Sequence, residues 1–205
     1  MRAVVLLLAA LLLAGCATAP LRPVAAPAGW ETRRLQLQAV SRFSLDGRIA
    51  AAVGQDGFNA SLAWAQQGGR SQLGLRAPLG FGSAEVTREG GDLRLRSSKG
   101  QDLRGSVATE ELARRLGFDP PLDSLRYWVL GVPDPSRPAI ETLGEGDAGG
   151  QGLAALEQEG WRVEYAEYKA FGTAALDARL PRRLTLTRAG IRLRLVIDHW
   201  KVTAP

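Results

Sequence analysis

The sequence is poor in the residues that build cross-links and metal sites. It contains one Cys, one His and one Met among 205 residues. A single Cys forms no internal disulfide and no cysteine-based zinc or iron–sulfur site, and a single His does not build a multi-histidine site. The composition therefore predicts no metal and no cofactor. A length near 200 residues and a hydrophobic content of 45% predict one ordinary globular domain.

Motifs for catalysis are also scarce. No Gly-x-Ser-x-Gly turn presents a nucleophile to His199, the neighbour of Asp198. Gly80-Phe81-Gly82 lacks the Lys-Ser/Thr pair and the following helix of a phosphate-binding loop. Scattered Asp and Glu leave open a surface hydrolase with paired carboxylates. Because no feature supports a particular reaction, we predict that the protein is not an enzyme.

The amino terminus carries an export signal. Arg2 precedes an apolar stretch over 3–14, which is too short to span a bilayer core of ~30 Å at ~1.5 Å per residue. Leu13-Ala14-Gly15-Cys16 resembles the bacterial lipobox, in which the Cys is lipidated after cleavage before it. The alternative is an ordinary signal peptide with an incidental Cys. We predict a signal peptide over 1–15, a lipidated Pro-rich tether over 16–28 and one domain over 29–205.

Lipidation at Cys16 predicts that the protein is anchored to a membrane. Several acyl chains anchor a protein firmly, whereas one chain binds marginally. Residue 17 is Ala rather than the Asp that retains enterobacterial lipoproteins in the inner membrane, which implies the outer membrane by analogy. The formal charge of +5 is mild, and no run of basic residues is longer than two. With secretion, this predicts no nucleic-acid partner.

From residue 42 onward, apolar residues recur with a period of two. Phe43, Leu45 and Ile49 share one parity, and Ser44 and Asp46 share the other. Short Gly-rich turns between such runs predict antiparallel neighbours. The pattern favours a mainly β fold with a single, strongly curved antiparallel sheet, and a two-sheet sandwich is the alternative.

Helical patterns are few. Leu35, Leu37 and Val40 predict a short helix between Trp30 and Val40. In mid-chain, Thr109 predicts a helix start and Gly117 a helix end, and a second helix is predicted after Pro120-Pro121 with Leu122, Leu125 and Val129 on one face.

The turn at Pro78, Leu79, Gly80 and Phe81 has an apolar tip where polar residues are usual. One interpretation is that Leu79 and Phe81 fold back into the core. The other is an exposed apolar finger, which marks a contact with a membrane or a partner.

The chain resembles the LolB family of outer-membrane lipoprotein receptors along its predicted mature length. The matching segments follow in the family's order behind the lipobox: Leu62-Ala63-Trp64-Ala65-Gln66, Pro78-Leu79-Gly80, LRYWVLGVP over 125–133, GWRVEY over 160–165 with Tyr168, Leu180-Pro181, and Ile197-Asp198-His199-Trp200. The resemblance implies an unclosed antiparallel β-barrel with helices as a lid over an apolar cavity. It also implies a receptor that takes acylated lipoproteins from the periplasmic carrier LolA and inserts them into the inner leaflet of the outer membrane. We expect a monomer.

The resemblance assigns Leu79, in the turn formed by residues 78–81, to a loop that engages the membrane, which favours the exposed interpretation. The apolar strand faces and mid-chain helices supply the predicted cavity lining, part of which packs the core in any such fold: Phe43, Leu45, Ile49, Leu62, Trp64, Leu73, Leu75, Leu125, Trp128, Val129, Leu193 and Leu195. The alternative function is a structural or assembly lipoprotein that binds a protein through a filled core. A cavity of several hundred Å³ is expected for the receptor.

Overall fold

One antiparallel sheet organises the protein. A computed structural model describes residues 28–78, 82–146, 150–170 and 179–203. The strands are β1 (Arg42–Val53), β2 (Asp56–Gln67), β3 (Arg70–Arg76), β4 (Ser83–Glu89), β5 (Asp92–Ser97), β6 (Asp102–Arg104), β7 (Ile140–Gly146), β8 (Gly150–Gln158), β9 (Trp161–Ala170), β10 (Arg179–Arg188) and β11 (Ile191–Val202). The helices are α1 (Ala28–Gln38), α2 (Gly105–Leu116) and α3 (Leu122–Trp128).

All eleven strands belong to the same sheet, in the order β6-β5-β4-β3-β2-β1-β11-β10-β9-β8-β7. The prediction of a single antiparallel sheet is confirmed, and the two-sheet sandwich is wrong. In the part of the chain that the structure describes, the end strands β6 and β7 do not pair with each other, so the sheet is unclosed. Its concave face carries the apolar side chains, which form one core with the helices.

A β-bulge interrupts the central pair of strands. Asp46 is opposite His199 and Gly47 is opposite Ile197, which leaves Asp198 as an extra residue on β11. A Cβ at Gly47 would lie 2.2 Å from the carbonyl oxygen of Val196. Only Gly at this position therefore allows the backbones of β1 and β11 to approach this closely.

The bulge also changes which residues face inward. Leu195 and Ile197 are buried two positions apart, but the next buried residue on β11 is Trp200, three positions further. Asp198 and His199 consequently both lie away from the core. This break in alternation explains two adjacent polar residues within an otherwise regular strand.

The two mid-chain helices follow the sequence pattern, with one correction. Helix α2 begins at Gly105, where φ is 63°, and not at Thr109. Thr109 lies inside the helix, and its hydroxyl donates to the Gly105 carbonyl at 3.2 Å, since a Thr side chain bonds the preceding turn as readily as it caps. Gly117 ends the helix as predicted, with φ of 76° and its N–H bonded to Ala113. Helix α3 follows Pro121 as predicted.

Helix α1 begins two residues before the predicted start and packs near the β7 edge. Trp30 and Leu37 are buried, whereas Leu35 is 58% exposed. The indole N–H of Trp30 donates to Glu141 on β7 at 2.7 Å, and Arg34 donates to the same carboxylate at 2.8 Å. None of the described helices has both the length and the apolar character needed to cross a bilayer.

A buried polar network fixes the carboxyl end of α3. The indole N–H of Trp128 donates to Gln158 Oε1 at 2.7 Å. The Gln158 amide nitrogen donates to the carbonyls of Asp134 and Arg137 at 2.9 and 3.0 Å. The Tyr165 hydroxyl donates to the Trp128 carbonyl at 3.0 Å. Because these groups are enclosed by the core, this end of α3 is held by bonds that water does not replace.

We expect Gln158→Ala to destabilise the protein strongly. The change leaves the Trp128 indole N–H, the Asp134 backbone N–H and the Arg137 carbonyl without these partners, and each buried unpaired polar group costs ~1–3 kcal/mol. Urea unfolding should therefore show a loss of about 3 kcal/mol or more. The matched control is Gln67→Ala, since Gln67 is exposed at the end of β2 and should change stability by less than ~0.5 kcal/mol. Equal losses in the two variants would contradict the assigned role of Gln158.

Candidate functional site

A small apolar cavity of about 80 Å³ lies between the concave face of the sheet and the mid-chain helices. All sixteen residues of its wall are apolar: Ile49, Phe58, Leu62, Trp64, Leu73, Leu75, Val86, Leu112, Leu116, Phe118, Pro120, Leu122, Leu125, Leu186, Leu193 and Leu195. We call α2, α3 and the connection 117–121 between them the helical lid. The wall offers no charge and no acidic or basic group, so its chemistry is that of a hydrocarbon-binding site.

The two sequence periods place these residues together. On the strands, pairs such as Leu193 and Leu195 lie two positions apart and face the same side of the sheet. In the lid, Leu112 and Leu116 lie four positions apart on one face of α2. Sheet and lid therefore present apolar stripes to each other, as the alternation predicts.

Eight of the twelve predicted lining residues form part of this wall: Ile49, Leu62, Trp64, Leu73, Leu75, Leu125, Leu193 and Leu195. The other four lie outside it, in the packed core. Phe43 contacts the rings of Trp64 and Trp200 edge to face at 5.7 and 5.5 Å. Leu45, two residues further along β1, is 1% exposed. These two strand residues lie beyond the cavity because aromatic side chains fill the space there.

Trp128 and Val129, predicted as lid residues, do not form part of this wall. Both are completely buried, and Trp128 is bonded to Gln158 rather than turned toward the cavity. Helical spacing places Leu125 on the same face as Trp128 and Val129. The helix α3 ends at Trp128, however, and both of these residues are buried in the core. Only the first part of α3 covers the cavity.

Eight further residues of the cavity wall were not among the predicted lining residues. Phe58, Val86 and Leu186 lie on strand faces whose alternation was visible, and Leu112, Leu116 and Leu122 follow helical spacing. These six were within reach of pattern analysis. Phe118 and Pro120 belong to the connection 117–121 and follow no period. Phe118 is placed by a contact with Trp161, 5.8 Å between ring centroids, that no local pattern encodes.

The size of the cavity differs from the expectation of several hundred Å³. The lid lies against the sheet and leaves only about 80 Å³. An apolar cavity of ~150 Å³ accommodates one benzene molecule, so the space seen here is about half of that. The structure is therefore a closed form in which lid side chains occupy most of the concave face.

An ion pair on the surface holds the start of α3 against the sheet. The guanidinium of Arg88 on β4 donates to both carboxylate oxygens of Asp123, at 2.6 and 2.5 Å. The hydrogen bond from Arg88 lowers the pKa of the Asp123 carboxyl. The Asp123 side chain is 70% exposed, and water screens and competes for such a pair. The ion pair is thus a weak contact, but the start of α3 is also held in the core, because the hydroxyl of buried Ser124 donates to Asp134 Oδ2 at 2.9 Å.

Several predicted features fall outside the described residues. They are the signal peptide over 1–15, Cys16, the tether up to residue 27, and Leu79, Gly80 and Phe81 of the turn. Pro78 is described and is exposed. His199 is exposed, and Asp198 is paired with Arg48 at 3.1 Å instead of orienting the imidazole. Among the residues with described positions, no group of three His, Cys, Asp or Glu could hold a metal ion.

Comparison with known proteins decides the family. The family model described as outer membrane lipoprotein LolB matches residues 41–200. The chain belongs to the LolB family. It is 36% identical over 202 residues to the outer-membrane lipoprotein LolB of Nitrosococcus oceani, covering 97% of this chain and 96% of the relative. It is 33% identical over 192 residues to that of Thiobacillus denitrificans, covering 92% and 91%.

Solved structures agree on the fold. A LolA-superfamily protein from Nitrosomonas europaea superposes with a TM-score of 0.51 at 11% identity, covering 85% of this chain and 94% of the other. A DUF1329-family protein from Desulfovibrio piger gives a TM-score of 0.50 at 8% identity, covering 85% and 92%. At such low identity, the likeness shows that this LolB-family chain shares an unclosed-sheet fold with proteins of different sequence.

We expect Asp123→Asn to make the cavity more accessible. The change removes the ion pair with Arg88, and an exposed pair contributes up to ~1 kcal/mol to the closed form. Binding of a fluorescent hydrophobic dye should rise about threefold. Asp56→Asn is the matched control, because Asp56 is exposed at the start of β2 and has no ion pair among the described residues.

Acid should imitate this substitution. The pKa of Asp123 is lowered in the closed form, so the pair stabilises that form fully above the ordinary aspartate pKa of ~3.9 and is lost as the pH falls through the lower value. Dye binding should rise in the native protein below about pH 4, and the rise should be smaller in Asp123→Asn. Identical acid responses in both proteins would show that Asp123 does not control access.

Proposed function

We propose that this LolB-family protein is a lipid-anchored receptor in lipoprotein transport. It accepts acylated lipoproteins from the periplasmic carrier LolA, shelters their acyl chains under the helical lid and inserts them into the inner leaflet of the outer membrane. The observation that carries the proposal is the cavity wall of sixteen apolar residues between sheet and lid. Membership of a family of outer-membrane lipoproteins supports the location.

The free energy of lipid transfer explains why such a wall is needed. Each buried CH₂ is worth ~0.8 kcal/mol, so an acyl chain of ~15 carbons costs about 12 kcal/mol to expose to water. The chains of a lipoprotein must therefore pass from one apolar site to the next. Release is also required, so the cavity must not bind the chains more tightly than the membrane does.

A chain enters only if the cavity enlarges. The closed form leaves about 80 Å³, and four leucines of the lid, at positions 112, 116, 122 and 125, fill the concave face. We propose that the connection 117–121 moves away from the sheet and the Arg88–Asp123 pair breaks, while Ser124 stays bonded to Asp134 and Trp128 to Gln158. The acyl chain then replaces leucine side chains, which exchanges one set of apolar contacts for another at small net cost.

The direction of transport follows from a series of increasing affinities. The carrier must bind the acyl chains less tightly than this protein, and the bilayer must bind them more tightly again. No chemical step is needed, and we propose that the protein is not an enzyme. We propose further that it acts as a monomer, anchored through Cys16 and facing the periplasm, with Leu79 and Phe81 contacting the membrane.

A structural lipoprotein that binds a protein partner is the second candidate. The small cavity favours it, since a filled core needs no cargo. It differs from the receptor in one property: its lid does not open.

The first experiment tests the cavity. The chain from residue 16 onward, carrying Cys16→Ala, should bind a fluorescent hydrophobic dye and accept acylated lipoprotein from LolA. Leu125→Trp should lower dye binding by about tenfold because the larger side chain fills the remaining space, at a cost in stability of ~1–3 kcal/mol. Leu103→Trp is the matched control, since Leu103 is partly buried on β6 outside the cavity wall. Absence of both dye binding and cargo acceptance in the parent chain would sink the receptor and favour the second candidate.

The second experiment tests delivery to the membrane. Leu79→Glu should preserve folding and cargo acceptance but lower transfer into vesicles at least tenfold, because a charged loop tip does not enter an apolar phase. Leu35→Glu is the matched control, since Leu35 is an exposed leucine on α1, and it should transfer cargo normally. A misfolded Leu79→Glu protein, detected by circular dichroism, would show instead that Leu79 belongs to the core.

A further inference from the structure

A groove of about 840 Å³ on the outer, convex side of the sheet carries four arginines, and it has no part in the proposed acyl-chain site. Its basic wall consists of Arg48 on β1, Arg182 and Arg183 on β10, and Arg194 on β11, and Pro78 forms part of the same wall. We call this feature the outer groove. Pro78 is the last described residue before residues 79–81, which are proposed to contact the membrane.

Strand register brings the guanidinium groups together. Arg48 and Arg183 both lie opposite Val196, one on each side of β11, and Arg194 lies opposite Ala50. Neighbouring strands are ~4.8 Å apart, so Arg48 and Arg183 start about 10 Å from each other. Val196 lies between Arg48 and Arg183, and Ala50 lies beside Arg194, so small side chains separate the arginines.

The outer groove has more positive than negative charge. Arg48 pairs with Asp198 at 3.1 Å, and Glu167 serves both Arg182 and Arg183 at 2.9 and 3.7 Å. Arg194 has no ion pair among the described residues. Four guanidinium groups thus face two carboxylates, and the excess is concentrated at one place on an exposed face. Guanidinium groups donate pairs of hydrogen bonds that match the oxygens of a phosphate.

We infer that the outer groove binds the phosphate of an anionic phospholipid headgroup when the turn at 78–81 engages the bilayer. This inference rests on the proposed function, because the position of Pro78 relates the groove to the membrane. A loop tip that enters the apolar layer leaves its base at the level of the headgroups, and the base here is Pro78. Each basic residue near an anionic surface contributes about a fivefold gain in binding. The groove therefore gives the receptor a preference for anionic leaflets that the apolar tip alone does not provide.

The test compares two double variants in the chain carrying Cys16→Ala. Arg48→Gln with Arg194→Gln removes two charges from the groove. Arg42→Gln with Arg104→Gln removes two charges elsewhere, since Arg42 lies at the far end of β1, ~20 Å from Arg48, and Arg104 lies on β6. Both control residues are exposed and have no ion pair among the residues described. Binding is measured by co-sedimentation with phosphatidylcholine vesicles, with and without one quarter phosphatidylglycerol.

The groove variant should bind phosphatidylglycerol vesicles about 30-fold more weakly than the parent chain, while the control variant loses less than about threefold. Both should bind pure phosphatidylcholine vesicles and hydrophobic dye as the parent does. Equal losses in the two variants would overturn the inference, because they would show an effect of net charge alone. Parent binding that is the same with and without phosphatidylglycerol would overturn it as well.

Two further outcomes separate other ligands of the same chemistry. If inorganic phosphate shifts the groove arginine signals in NMR spectra while vesicle preference is absent, the groove is a free-phosphate site and the lipid assignment is wrong. If the groove variant slows transfer from LolA but keeps its preference for phosphatidylglycerol, the groove meets an acidic protein surface instead. If the parent chain binds no hydrophobic dye, the proposed receptor function is refuted. If it binds dye but does not prefer phosphatidylglycerol vesicles, only this inference is refuted.

Discussion

A sheet that does not close on itself must cover its apolar concave face with other elements, and this constraint shapes the whole protein. Eleven strands with one apolar face expose far more hydrocarbon surface than three short helices cover tightly. Helix α1 covers one end of the concavity near β7, where Trp30 is 1% exposed. At the other end only the helical lid covers the sheet. The cavity lies there because covering an apolar face is easier than filling it.

Three side chains of α3 hold the lid, and their contributions differ because Ser124 and Trp128 are bonded within the core whereas Asp123 is paired on the surface. The Trp128–Gln158 hydrogen bond lies in the core, where an unpaired donor is costly and the bond is consequently persistent. The Arg88–Asp123 pair has better geometry but lies on the surface, where water solvates both ions when they separate. The connection 117–121 and the Asp123 side chain therefore leave the sheet more easily than Ser124 and Trp128, which are bonded within the core. Access to the cavity therefore need not disturb the core.

Sequence patterns predicted what depends on neighbours along the chain and failed where distant residues decide. A period of two correctly gave the strands and the inward positions of Leu193 and Leu195, because side-chain direction in a strand is local. Trp128 does not line the cavity, because its indole is bonded to Gln158, which is 30 residues away on β8. Phe43 does not line it either, because Trp200, from the far end of the chain, packs beside it. The volume of the cavity depends on how closely lid and sheet approach, which no spacing encodes.

The same register sets the chemistry of both faces of the sheet. On β11, Leu193 and Leu195 face the cavity, and Arg194 between them faces the outer groove. A shift of the strand pairing by one residue would turn the leucines outward and the arginine inward. The apolar cavity wall and the positive charge of the groove therefore depend on the same register. The bulge opposite Gly47 changes this pattern locally. The extra residue in the bulge is Asp198, and its carboxylate pairs with Arg48 on the outer face. Arg194 has no such partner among the described residues, so the charge excess of the groove arises where alternation is regular and is reduced where the bulge interrupts it.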